Sequence, residues 1–114
     1  MWNARGMVKT YNKLVRDRIP EIIEREGRAV KTRIAKDDAE YAAYLQKKVL
    51  EEAEEMVSAA DADNLREEIA DLEEILDALI RVSGSSREEV LAIRAEKNKK
   101  RGAFEKRIIL EEVE

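Results

Sequence analysis

From residue 37 to residue 101 the chain holds no proline and a single glycine, Gly84. So long a stretch with one breaker reads as helices joined by short turns. Asp37 with Glu40 three residues on forms a capping box, and nothing interrupts a helix from there to about Ala60. Residues 61–64 make a short polar connection, where Asn64 with Glu67 can cap a second helix that runs to about Val82 and stops at Gly84. Ser85 with Glu88 opens a third helix, which ends near Gly102. Earlier segments are less regular. Residues 8–19 read as an extended or irregular arm, and Pro20 suits the first turn of a short helix closed by Gly27. Residues 29–35 alternate as a short strand does, and residues 104–110 read as another; the two are expected to pair into a small ribbon packed on the helices. The expected fold is mainly α, a helical bundle with a two-stranded β ribbon. Residues 1–7, with Trp2, are expected to be an extension, and residues 8–114 a single domain.

Charged residues make up 42% of the 114, with both signs interspersed, which suits helices laced by ion pairs. The net charge of −4 argues against nucleic acid as the main partner, since phosphate backbones call for a basic footprint. There is no cysteine and no histidine. Thiolate chemistry, disulfides and Cys or His metal sites are thereby excluded, and the composition suits a reducing cytoplasm. No apolar run reaches the roughly 18–20 residues of a membrane-crossing helix, and the first residues lack a signal-peptide core, so no membrane partner is expected. Any chemistry must come from carboxylates, Lys, Arg, Tyr, hydroxyls or a metal ion.

On a helical wheel at about 100° per residue, several acids sit in the wrong place. Leu45, Val49, Met56 and Ala60 define the apolar arc of the first long helix; Glu52 falls inside it, Glu55 at its edge and Glu51 further round on the same side. In the second, Leu65, Ile69, Leu72, Ile75, Leu76 and Leu79 form the apolar face, with Glu68 inside it and Asp71 at its edge. A short connection makes the two helices antiparallel neighbours, so these carboxylates converge in a partly buried seam. Unpaired buried carboxylates cost several kcal/mol each. Either Lys and Arg pair them or divalent cations bind them, and hard oxygen ligands suit Mg²⁺, Mn²⁺ or Ca²⁺. The plainer alternative is a merely charged seam in an acid-rich helix pair.

Glu51-Glu52-Ala53-Glu54-Glu55 followed by Glu68-Ile69-Ala70-Asp71 resembles the paired signature of the all-α nucleoside triphosphate pyrophosphohydrolases: MazG-like proteins, dimeric dUTPases and phosphoribosyl-ATP pyrophosphohydrolases. The flanks at residues 11–20 and 101–108 resemble a compact MazG-like subgroup regarded as house-cleaning enzymes for noncanonical nucleotides. The resemblance covers residues 8–112. It implies a MazG-like bundle, with Glu52, Glu55, Glu68 and Asp71 as ligands of Mg²⁺ or Mn²⁺. It implies that Glu51 and Glu52 are the catalytic acids, Glu51 being either a further ligand or the group that orients or deprotonates water. The implied reaction cuts a nucleoside triphosphate between its α- and β-phosphates, giving a monophosphate and pyrophosphate, and the implied assembly is a homodimer or higher homo-oligomer. Two departures stand out. Glu74 and Asp77 lie where many relatives carry Asn or Lys, and Ala103 follows Gly102 where a second glycine is common.

Basic groups are needed to grip outer phosphates. The candidates are Lys100, Arg101, Lys106 and Arg107 around the end of the third long helix, and Lys13, Arg16 and Arg18 in the arm; a solvated basic face is the plainer account of each. Tyr11, Tyr41, Tyr44 and Phe104 can stack on a base or simply pack. The alternatives to a house-cleaning nucleotide pyrophosphohydrolase are a phosphoribosyl-ATP pyrophosphohydrolase and a non-enzymatic helical dimerisation or regulatory module.

Overall fold

The computed structural model describes residues 8–114. The extension expected over 1–7 lies outside the described residues. Four helices follow in order: α1 Ile19–Arg25, α2 Asp38–Val57, α3 Ala62–Val82 and α4 Arg87–Arg101. Each of the three long helices opens on a side-chain cap. Asp37 accepts from the Glu40 amide, Asp61 from the Asn64 amide and Ser86 from the Glu89 amide. The second cap falls three residues before the expected one. Asp61 and Asn64 are both good caps, and starting at Asp61 leaves the Asn64 side chain free for other partners.

α2 and α3 form an antiparallel hairpin, in which Leu45 near the start of α2 packs with Ile75 and Ala78 near the end of α3. Those three are the buried apolar residues among the described residues, with Leu14, Tyr41, Val49, Leu79 and Val82 packed around them. Leu14 belongs to the arm, so the arm is held on the hairpin by an apolar anchor. Glu40 draws the loop before α2 onto the helix start, accepting from the Lys36 amide at 3.0 Å and from Arg33 at 2.6 Å. α4 touches only α3 among the helices, through contacts that include Arg87 donating to Asp77 at 2.8 Å.

The structure corrects the expected ribbon: no strand forms among the described residues. Residues 29–35 are an irregular loop tied to the start of α2. Residues 104–110 begin with a turn in which the Arg107 amide donates to the Phe104 carbonyl. α4 lies between them and, at 15 residues, carries the second segment about 22 Å from the hairpin end. A strand needs a neighbour for its backbone groups, and among the described residues no backbone hydrogen bond joins the two segments. Alternation in so short a run specifies an extended chain, not its partner.

The shape is elongated, 70 × 35 × 29 Å, with a radius of gyration of 19.5 Å against about 13 Å for a compact chain of this length. Half of the α3 stripe, Leu65, Ile69 and Leu76, is 38–42% exposed. Among the described residues no helix is long and apolar enough to cross a membrane. With so small a core, Leu45→Ala should cost about 3 kcal/mol in urea unfolding, whereas Leu50→Ala, on the exposed side of α2, should cost under about 0.5. Equal losses at the two positions would place the core elsewhere.

Candidate metal centre

The seam between α2 and α3 brings Glu52, Glu55 and Glu68 together, with one carboxylate oxygen of each within 4.8 Å of the others. That spacing lets three hard oxygen donors share one cation, so the cluster could hold a metal ion. Glu52 is 7% exposed, Glu68 half-buried and Glu55 open to solvent, which grades the cluster from the helix seam outward. The cause is the wheel position of each. Glu52 replaces an apolar residue in the α2 stripe and Glu68 does the same in α3, one turn from Asn64 and from Leu72.

Glu52 Oε2 and Glu68 Oε2 are buried and have no hydrogen-bond partner among the described residues. Among the described residues the one donor that reaches either side chain is Asn64, whose Nδ2 lies 3.5 Å from Glu68 Oε1, a weak contact. Two orphaned carboxylate oxygens facing each other in one seam are what a bound cation would satisfy. The donor set, carboxylate oxygens alone, is of the hard kind that suits a divalent cation.

Asp71 and Glu51 fare differently. Asp71 stands beside the cluster, near enough to act on the charge of Glu52, but accepts from Arg16 at 2.7 Å. Glu51 accepts from Lys13 at 3.2 Å and from Lys48 at 3.4 Å. Among the described residues the outer acids are therefore neutralised by cationic side chains and the inner three are not. Lys13 and Arg16 flank Leu14, so the apolar anchor sets both ion pairs in place. Lys100, Arg101, Lys106 and Arg107 make no ion pair or hydrogen bond to these acids; Lys100 pairs with Glu96 on its own helix. Lys48 and Asn64 were not singled out from sequence as site residues. The i, i+3 spacing of Lys48 to Glu51 and the i, i+4 spacing of Asn64 to Glu68 are the signals that could have found them.

The electrostatics follow this grading. Burial pushes the Glu52 carboxyl up to about 7, with Glu68 and Glu55 facing it adding to the rise. Glu55 is raised by Glu68 beside it and then by desolvation. Burial also pushes at Glu51, but Lys13 and Lys48 outweigh it and hold that carboxyl below its usual range. Comparison with protein-family models, curated proteins and solved structures finds no match. What can be said of the site therefore rests on its own geometry.

The pH dependence has a definite sign. In the unfolded chain Glu52 titrates near about 4.3. Folded, it keeps its proton to about 7, so the stability tied to the protonated form is complete below the lower value and lost as pH rises through the upper. In chelator, Glu52→Gln should melt higher than the parent chain, and the gap should widen between pH 5 and pH 8 by about 5–10 °C. Saturating Mg²⁺ should reverse the order, because only the parent gains binding free energy, about 2.7 kcal/mol at 100 times Kd. A gap that widens with pH but is unchanged by Mg²⁺ would mean the cluster is only a charged seam.

Proposed function

We propose that the chain is a Mg²⁺- or Mn²⁺-dependent nucleotide pyrophosphohydrolase that converts nucleoside triphosphates, noncanonical or deoxy forms among them, to a monophosphate and pyrophosphate. The observation that carries this reading is the pair of buried oxygens of Glu52 and Glu68, which no Lys or Arg among the described residues reaches, although Lys13 and Arg16 pair with the neighbouring Glu51 and Asp71. The resemblance of the Glu51–Glu55 and Glu68–Asp71 runs to the pyrophosphohydrolase signature supplies the reaction class.

Glu52, Glu55 and Glu68 would hold the cation, and Asp71 would join them by exchanging Arg16 for it. A divalent cation bound there supplies charge neutralisation on the phosphate oxygens and acidifies water. Arg16 and Lys13, released from Asp71 and Glu51, would be available to the outer phosphates, and Arg16 can grip two oxygens at once. Glu51, paired with Lys48, would orient the attacking water through a hydrogen bond. Its lowered pKa favours orientation over proton removal. In phosphoryl chemistry, positioning and charge neutralisation carry most of the catalysis, so the lack of histidine is no obstacle.

The same reading makes the chain a homodimer or higher homo-oligomer. Three buried apolar residues among the described residues are few for a domain of this length, and a second copy is the simplest cover for Leu65, Ile69 and Leu76 on α3. Lys100, Arg101, Lys106 and Arg107 could then serve the phosphates of a neighbouring copy. The reading is tested by product analysis with a panel of canonical, deoxy and oxidised nucleoside triphosphates and phosphoribosyl-ATP, with Mg²⁺ or Mn²⁺. Monophosphate plus pyrophosphate should appear, reduced by at least about 10³-fold in Glu52→Gln, the size of loss expected when charge stabilisation is removed. Turnover confined to phosphoribosyl-ATP would move the substrate to that nucleotide. No metal-dependent turnover from folded protein would leave a helical binding module.

A further inference from the structure

The segment after α4 is the least satisfied part of the molecule. Gly102 turns it off the helix with φ +79°, and Phe104, Ile108, Ile109 and Leu110 are then 75–98% exposed. A contiguous apolar run on a heavily charged protein marks a surface for a partner. The flanks of this run are charged with opposite sign, Lys106 and Arg107 before it, Glu111 and Glu112 after it. Among the described residues none of these four takes part in an ion pair.

We propose that residues 106–112 of two copies of this chain lie antiparallel to each other about a two-fold axis at Ile109. Laid so, Lys106 faces Glu112, Arg107 faces Glu111, Ile108 faces Leu110 and Ile109 faces its own counterpart. The two-fold repeats each charged pair, so the contact carries four ion pairs around six aliphatic side chains. A slip of one residue in one direction sets Arg107 against Leu110; in the other it sets Ile108 against Glu111. Only one register therefore matches both charge and hydropathy. The surface is its own complement, as an isologous contact requires, and it closes at two copies.

The local backbone is ready for the change. Arg107 holds φ +58°, a left-handed conformation that disfavours a residue with a side chain, and its turn is closed by a single 3.3 Å bond to the Phe104 carbonyl. Drawing Arg107 into the extended pair relieves that strain and gives the backbone groups of 108–112 partners. A second copy is favoured over another protein because both halves of the complementary pattern lie in this one segment.

The inference rests on the reading that the chain self-associates, and the two fail separately. The chain has no cysteine, so Ile109→Cys carries a single thiol. At the axis, two such thiols meet. In Val113→Cys the two thiols would be about 26 Å apart at about 3.3 Å per residue. Under oxidised glutathione, Ile109→Cys should form a disulfide-linked dimer at least about tenfold faster than Val113→Cys, because cysteines much more than 7 Å apart cannot bridge. In a second experiment, Lys106→Glu/Arg107→Glu and Glu111→Lys/Glu112→Lys should each self-associate about tenfold more weakly by sedimentation equilibrium, since like charges then face each other. Mixed one to one, they should recover the association. Equal cross-linking rates, or no recovery on mixing, would overturn the register while leaving self-association standing. A parent chain that sediments as a monomer at every concentration would overturn both.

Discussion

The Glu52 carboxylate sits where the α2 stripe calls for an aliphatic side chain, opposite Glu68, which interrupts the α3 stripe in the same way. Two acids facing each other in a helix seam cannot both ionise cheaply, and the rest of the hairpin is arranged around that fact. The core is pushed to one end, where Leu45 meets Ile75 and Ala78. The acid end stays open on the Glu55 side, giving a cation or a proton access to the seam. Stability and affinity would thus pull against each other: the burial that weakens the hairpin above pH 7 is also what would favour a bound cation there.

The basic arm answers the same constraint from outside. Leu14 docks on the core, and Lys13 and Arg16 on either side of it take the outer acids. Both pairs are partly exposed, so each contributes little stability alone, at most about 1 kcal/mol. Their effect is to leave the inner three acids as the uncompensated part of the cluster among the described residues, with two cationic side chains beside it.

Much of this was legible from residue spacing. Helical period placed Glu52 and Glu68 inside their stripes and Glu55 at an edge, and the structure finds them together. The helix count and the hairpin followed from one glycine and two short polar links. What spacing could not show were the contacts between residues far apart in the chain. Lys13 meets Glu51 and Arg16 meets Asp71 across 38 and 55 residues, and no local pattern encodes such a meeting. The two short runs expected as strands, 29–35 and 104–110, form none for a related reason. Alternation speaks to backbone conformation, whereas pairing depends on where the intervening helices carry each end.

Asn64 links two parts of the molecule usually considered apart. Its carbonyl oxygen accepts from the Ala60 amide in the turn between α2 and α3, while its amide group leans on Glu68. Its own backbone amide is at the same time held by Asp61. Surface turns of this kind ordinarily tolerate inserted residues, because nothing depends on their length. Here an insertion between Ser58 and Asp61 would be transmitted through Asn64 to an acid of the cluster, so the length of this turn is tied to the alignment of the carboxylates.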